Sequence, residues 1–216
     1  MPGHEPITLD MLVWAYSSGI FPMAEHRDGP AQWYAANPRA VLPLDDFTPS
    51  HSLRQRVRRG DYEIRRDTAF ERVIRACAEP RKAARSTWIN DQIIDVFCAA
   101  HRAGLAHSVE AWGFSPEQLG RARTKGDPPA QRVLLGGLYG MSLGGAFMGE
   151  SMFSRATDAS KVCLFHLVEH LRSRGYALLD VQMNSDHMKQ FGTIEIPREE
   201  YERQLAIAVR MPVSWD

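Results

Sequence analysis

The stretch DASKVCLFHLVEHLRSRGYALLDVQ (158–182) decides the fold class. Val162, Phe165, Val168 and Leu171 recur at helical spacing. Asp158 or Thr157 can cap the start, and Gly175 suits a left-handed stop. Over 176–182 the pattern changes to a short apolar run, expected as a central strand. Upstream, LLGGLYGMSLGGAFMGESMFSR (134–155) predicts strands over 133–140 and 145–149. A further strand is expected over 105–112, and an exposed hairpin loop over 113–130.

Working outward, Thr8 can cap a helix through Leu9, Leu12, Val13 and Tyr16 that stops at Gly19, after a loose terminus over 1–7. Residues 20–50 hold five prolines and predict irregular chain with short extended pieces. Thr68 and Glu71 form a candidate capping box for a helix with Phe70, Val73, Ile74 and Cys77 inward. Pro80 ends it, and a basic loop RKAAR (81–85) follows. Asn90 can cap a helix with Ile93, Ile94 and Phe97 inward, stopped by Gly104. After 182 come a short helix over 185–191, a strand over 194–196, and a last helix with Pro197 at its first position. This order gives an α/β (α+β) fold, with antiparallel strands feeding a βαβ unit. That layout resembles GNAT-type acyltransferases.

The chain has 216 residues, enough to bury a full core. It carries 26 basic and 26 acidic residues, so overall charge gives no argument for nucleic acid. Three scattered cysteines and no CxxC argue against a disulfide framework. No signal core or run of about 18 apolar residues is present, and a soluble cytoplasmic protein is expected. HExxH, zinc spacing, GxSxG, Walker A and GxGxxG are all absent. An R-x-x-G-x-A match at 172–177 closes a helix, whereas a pyrophosphate loop opens one, so it is read as chance.

Four features can carry chemistry. Six glycines between 136 and 149 suggest bulges, a close approach to ligand, or tight turns. Glu150 follows them, and a carboxylate ending an apolar strand needs a partner or a cleft. Leu178, Asp180 and Gln182 share one strand face, where Asp180 can orient the Gln182 amide. The plainer alternative is a strand end turning into solvent. On 105–112, Trp112 can stack a base or close the core, and His107 suits a structural role. Arg54, Arg56, Arg58 and Arg59, with Arg65, Arg66, Arg81, Lys82 and Arg85, form either a solvated face or a phosphate-binding one.

These blocks, together with AYSSGIFPMAE (15–25), NPRAVLPLD (37–45), STWIN (86–90), HSVEAW (107–112) and FGTIEIPREEY (191–201), resemble the bacterial leucyl/phenylalanyl-tRNA–protein transferases. The resemblance keeps family order over most of the chain, in a form that looks short at its N-terminus. It implies a small N-terminal lobe over 1–38 and a GNAT-like catalytic domain over 39–216. The implied activity moves Leu or Phe, and Met weakly, from aminoacyl-tRNA to proteins beginning with Arg or Lys. The product is an N-degron.

The resemblance further implies Asp180, Gln182 and Glu150 as the catalytic group. Leu138, Phe147, Leu164, Leu167 and Leu179 match the apolar pocket, although each also suits ordinary core. Met23 stands where many members carry a Trp that helps hold the terminal adenosine, so that contact can fall to Trp33, Tyr34 or Trp112. Arg54, Arg56, Arg58 and Arg59 are expected on tRNA phosphates. The expected partners are the 3′ end and acceptor stem of aminoacyl-tRNA and the acceptor protein. Neither cofactor, metal nor membrane is expected, and the protein is expected to be a monomer. An acyl-coenzyme-A transferase and a non-catalytic RNA-binding module are the competing readings.

Overall fold

A computed structural model describes residues 6–80, 86–115, 118 and 131–216. The basic loop 81–85, most of the expected hairpin loop and residues 1–5 of the terminus therefore lie outside the described residues. Helix α1 (Leu9–Ser17) starts where Thr8 accepts the Met11 N–H at 3.2 Å. Strands β1 (Phe21–Ala24) and β2 (Ala31–Tyr34) make an antiparallel hairpin in the proline-rich stretch. Strand β3 (Arg39–Val41) follows. The arginine run forms α2 (His51–Arg59), capped by Ser50 and closed by Gly60, then β4 (Glu63–Arg66).

Next come α3 (Phe70–Cys77), α4 (Asp91–Arg102), β5 (Ala106–Gly113), β6 (Val133–Leu143) and β7 (Ala146–Ser154). Helix α5 (Ala159–Arg174) ends at Gly175, whose φ of +80° is the expected left-handed stop. Strand β8 (Leu178–Gln182), α6 (Asp186–Lys189), β9 (Ile194–Ile196) and α7 (Arg198–Ala208) complete the chain. No described helix is long and apolar enough to cross a membrane.

Seven strands form one sheet in the order β4-β5-β6-β7-β8-β3-β9. Every pairing is antiparallel except β7 with β8, which α5 joins as a crossover. This is the expected layout of antiparallel strands feeding a βαβ unit. Helices cover both faces, so β5 and nearly all of β6 are buried. Side chains alternate between two cores. Tyr139 and Met148 join Leu12, Phe97 and Tyr201 on one face. Leu138 and Phe147 join Leu164, Leu167 and Trp215 on the other.

Local expectations fail where a distant partner competes. The Thr68–Glu71 capping box does not form, because Glu110 on β5 takes its place. Its carboxylate accepts the Ala69 N–H at 2.8 Å and the Thr68 hydroxyl. A charge-assisted acceptor outcompetes a neutral cap, and Glu71 turns to Arg75 instead. Asp158 likewise does not cap α5: it sits at φ +60° and pairs with Arg56 and Lys161. Pro197 precedes α7 as its cap residue rather than opening it.

Two of the glycines answer to packing. A Cβ at Gly136 would overlap Ala159, so this glycine lets the start of α5 lie against β6. At Gly140, beside a break in the β6–β7 register, a Cβ would overlap the Met148 carbonyl and the Phe147 ring. Gly140→Ala is therefore expected to lose about 1–3 kcal/mol of stability by overpacking, measurable by urea unfolding. Wild-type stability in that variant would show that the contact yields freely.

Candidate active site

The β7–β8 pairing lasts three residues, from Ala146↔Leu178 to Met148↔Asp180. Beyond it β7 follows β6 as far as Ser154, while β8 ends at Gln182. The two strands thus part at their C-terminal ends, where open α/β sheets bind ligands. Glu150 stands on one lip of this opening and Gln182 on the other. The Gln182 amide nitrogen donates to Glu150 Oε1 at 2.9 Å.

Gln182 has φ +55°, a left-handed conformation uncommon for a residue with a side chain. Such a backbone costs ~1–3 kcal/mol and persists only where its surroundings hold it. Here the Gln182 N–H donates to Asp180 Oδ1 at 2.9 Å. Asp180 is fully buried and also accepts from Arg39 Nε at 2.9 Å, Arg39 Nη2 at 2.6 Å and the Tyr201 hydroxyl at 2.8 Å. Burial opposes the Arg39 charge, but its bonds to Asp180 outweigh that cost and raise its pKa. The expected contact between Asp180 and the Gln182 side-chain amide is replaced. Asp180 braces the backbone, and the amide is left for Glu150.

Glu150 is half-buried, and burial is the main cause that pushes its pKa up to about 8. Tyr16 opposes that rise, Asp180 adds to it, and Arg39 opposes it. Tyr16 and Tyr139 are fully buried and feel the carboxylate's charge. Burial first, and the Glu150 charge second, raise the pKa of both phenols.

Three cavities adjoin one another around Trp88 and Met183, and two of them reach Glu150. One of about 250 Å³ is lined by Leu138, Leu164, Leu167, Leu179, Val181 and Met188 and reaches Glu150. A second, of about 140 Å³, lies between Phe21, Met23, Glu150 and Gln182. A third, of about 420 Å³, lies between the β1–β2 hairpin and Thr87–Trp88. Trp88 and Met183 border all three. The arrangement offers an apolar slot beside an amide–carboxylate pair, with a second apolar cleft adjoining across Trp88 and Met183.

The structure therefore brings Asp180, Gln182, Glu150, Met23, Leu138, Leu164, Leu167 and Leu179 together. Phe147 is a correction. It is wholly buried against Trp215, with ring centroids 5.5 Å apart, and borders none of the three cavities. Trp112 is another: its indole N–H donates to Glu110 at 3.1 Å, and Arg65 and Arg72 lie over its ring. It closes the core. Trp33 lies opposite Pro22 in the hairpin, outside the cavities. His107 is structural, bonded to Asp67 at 2.8 Å and stacked on Trp215.

Among the expected phosphate ligands, Arg56 pairs with Asp61 and Asp158, and Arg59 with Asp61. Arg54 and Arg58 are exposed or nearly so and form no ion pair among the described residues. Sequence reasoning missed Trp88, Arg39, Tyr201 and Met183. Trp88 sits inside STWIN and Arg39 inside NPRAV, but nothing local marks either as a site residue.

The family model described as "Leucyl/phenylalanyl-tRNA protein transferase" matches residues 41–206. A second, described as the N-terminal domain of the same transferase, matches residues 5–37. A relative from Chlorobaculum parvum named leucyl/phenylalanyl-tRNA–protein transferase is 48% identical over 203 residues, covering 94% of this chain and 96% of that protein. Among solved structures, FemX aligns with a TM-score of 0.48 at 12% identity, covering 79% of this chain and 59% of the longer FemX chain. The structure of L-PGS from Bacillus licheniformis aligns with a TM-score of 0.42 at 13% identity, covering 78% of this chain and 56% of that one.

The Glu150 geometry makes a stability prediction. With its folded pKa raised to about 8 and an unfolded value of about 4.3, the folded state binds one more proton than the unfolded state between those limits. Stability therefore falls as pH rises through that window. Glu150→Gln keeps the acceptor for Gln182 and removes the titration. Its Tm is expected to gain on wild type steadily from pH 5 to pH 8 by calorimetry, and a constant difference would contradict the raised pKa.

Proposed function

The chain belongs to the leucyl/phenylalanyl-tRNA–protein transferase family, and from that premise we propose that it moves Leu or Phe, and Met more weakly, from aminoacyl-tRNA to the α-amine of proteins beginning with Arg or Lys. The product would carry an N-degron, and the reaction would take place in the cytoplasm. The observation that carries this reading is the amide–carboxylate pair of Gln182 and Glu150 at the parting of β7 and β8, beside an apolar slot.

The donor is an ester and the acceptor an amine with an unperturbed pKa of about 7.7–8.0, so strong base is not needed. Holding the two together supplies roughly 7–11 kcal/mol of the barrier. In this reading the donor's side chain enters the slot between Leu138, Leu164, Leu167 and Leu179. β-Branched Val and Ile fit less well, with discrimination of ~1–3 kcal/mol per methylene. The adenosine end lies toward Met23 and Trp88.

The Gln182 amide nitrogen is committed to Glu150, which leaves its oxygen to accept from the attacking amine. The amine nitrogen bonds to the ester carbonyl carbon, and the carbonyl–oxygen bond to the ribose breaks. Ionised Glu150 takes the amine proton and returns it to the leaving 3′ oxygen. Asp180, paired with Arg39, holds the Gln182 backbone. Arg54 and Arg58, free of ion pairs among the described residues, contact tRNA phosphates and position the donor without reading its sequence.

Incubation with Leu-tRNA and a peptide beginning with Arg is expected to add one leucine residue to the peptide's mass. An unchanged mass would overturn the reading. Gln182→Ala is expected to lower kcat about 100-fold or more, and near wild-type kcat would remove its role. Arg54→Glu and Arg58→Glu are each expected to weaken tRNA binding and flatten its log–log salt slope by about one unit. Unchanged binding at low salt would exclude them from the interface.

A further inference from the structure

Arg39 is buried to 1% exposure, and its guanidinium joins four separate segments. Nε and Nη2 form a fork on Asp180, and Nη1 donates to the Gly19 carbonyl at 2.9 Å. Nη2 also donates to the Tyr201 hydroxyl at 3.3 Å. The guanidinium lies over the rings of Phe21, at 4.9 Å, and Tyr201, at 4.4 Å. Phe21 in turn walls two of the three cavities. One planar cation thus touches the end of α1, β1, β8 and α7. A lysine ammonium can supply the charge but not the fork.

A buried ion pair is by itself weak evidence of a stabilising role, because apolar residues of similar volume often serve as well. The placement of this one points elsewhere. Asp180 Oδ1 accepts both from Arg39 Nε and from the N–H of Gln182, the residue in left-handed conformation. Rotation of the Asp180 carboxylate would release that N–H, and the fork of Arg39 blocks the rotation. The Tyr201 hydroxyl pins the second oxygen.

We infer that Arg39 is a positioning residue of the transfer reaction: it fixes Asp180, and through Asp180 the backbone of Gln182, so that the Gln182 amide meets Glu150. Its bond to Gly19 ties the same geometry to the docked segment 19–21. The inference rests on the aminoacyl-transfer reading above.

The test uses the full chain with Leu-tRNA and an Arg-initiated peptide, comparing wild type, Arg39→Lys, Arg39→Gln and Tyr201→Phe. Tyr201→Phe keeps the ring against Arg39 and removes the hydroxyl that donates to Asp180 and accepts from Arg39, while the Arg39–Asp180 fork stays, so it serves even if an Arg39 variant does not fold. Its kcat is expected to fall about tenfold, from the loss of the 2.8 Å bond to Asp180 and the longer one from Arg39. Arg39→Lys is expected to lose about 100-fold in kcat, as displaced catalytic groups do. KM for both substrates should stay within about twofold in each.

The two charge-conserving variants should keep the wild-type pH profile. Arg39→Gln should move its titration upward, since the lost cation had favoured ionised Glu150. Wild-type kcat in folded Arg39→Lys and Tyr201→Phe, or losses confined to KM, would overturn the inference while leaving the transfer reading in place. An inactive wild type would overturn both.

Discussion

The fork between Arg39 and Asp180 is the constraint on which the rest of the site depends. Burying two charges is costly unless every lone pair and proton finds a partner. Here the carboxylate accepts four bonds, from Arg39 twice, Tyr201 and the Gln182 N–H. The guanidinium donates further to Gly19 and Tyr201. Such a set of partners requires α1, β3, β8 and α7 in register. The N-terminal segment and the C-terminal helix are thereby fastened to the strand that ends at Gln182.

The second requirement is an interrupted strand pairing. Had β7 and β8 stayed paired, Glu150 and Gln182 would stand on a closed sheet with no room between them. The break in β6–β7 register at Gly140 and the end of β8 let β7 turn with β6 and leave β8. Leu164 and Leu167 of α5, which bridges the two strands, then line the space that opens. A single crossover unit thus makes the slot, the carboxylate and the amide adjacent. The chemistry follows from topology, and the side chains then choose the substrate.

Much of this was legible in the residues. Thr8, Asn90 and Gly175 declared helix ends because caps act within three or four residues. Helix α5 and strand β8 declared themselves by a clean change of period. Glu150, Asp180 and Gln182 stood out as polar groups on apolar strands. The short strands β1 to β4 did not, since three- and four-residue pieces carry too little pattern to count.

Long-range partners were equally silent. Arg39 meets Asp180 across 141 residues, and Glu110 caps α3 from about 40 residues downstream. No window of local sequence contains such a pair. Phe147 and Trp112 had the right composition for a pocket and a stacking platform. Strand alternation and the Glu110 bond turned them into core. Trp88 illustrates the converse, a residue at the junction of three cavities whose neighbours in sequence read only as the approach to a helix.

The left-handed backbone at 182 narrows what that position can hold. Asparagine tolerates the conformation better than most residues, yet its amide is one methylene short of the opposite lip. Glutamate has the reach but would set one carboxylate against another. β-Branched side chains are excluded by the backbone itself, and glycine would accept the twist but bring no amide. Chain direction and chemical reach thus act as two independent filters on one codon, and glutamine is the residue that passes both.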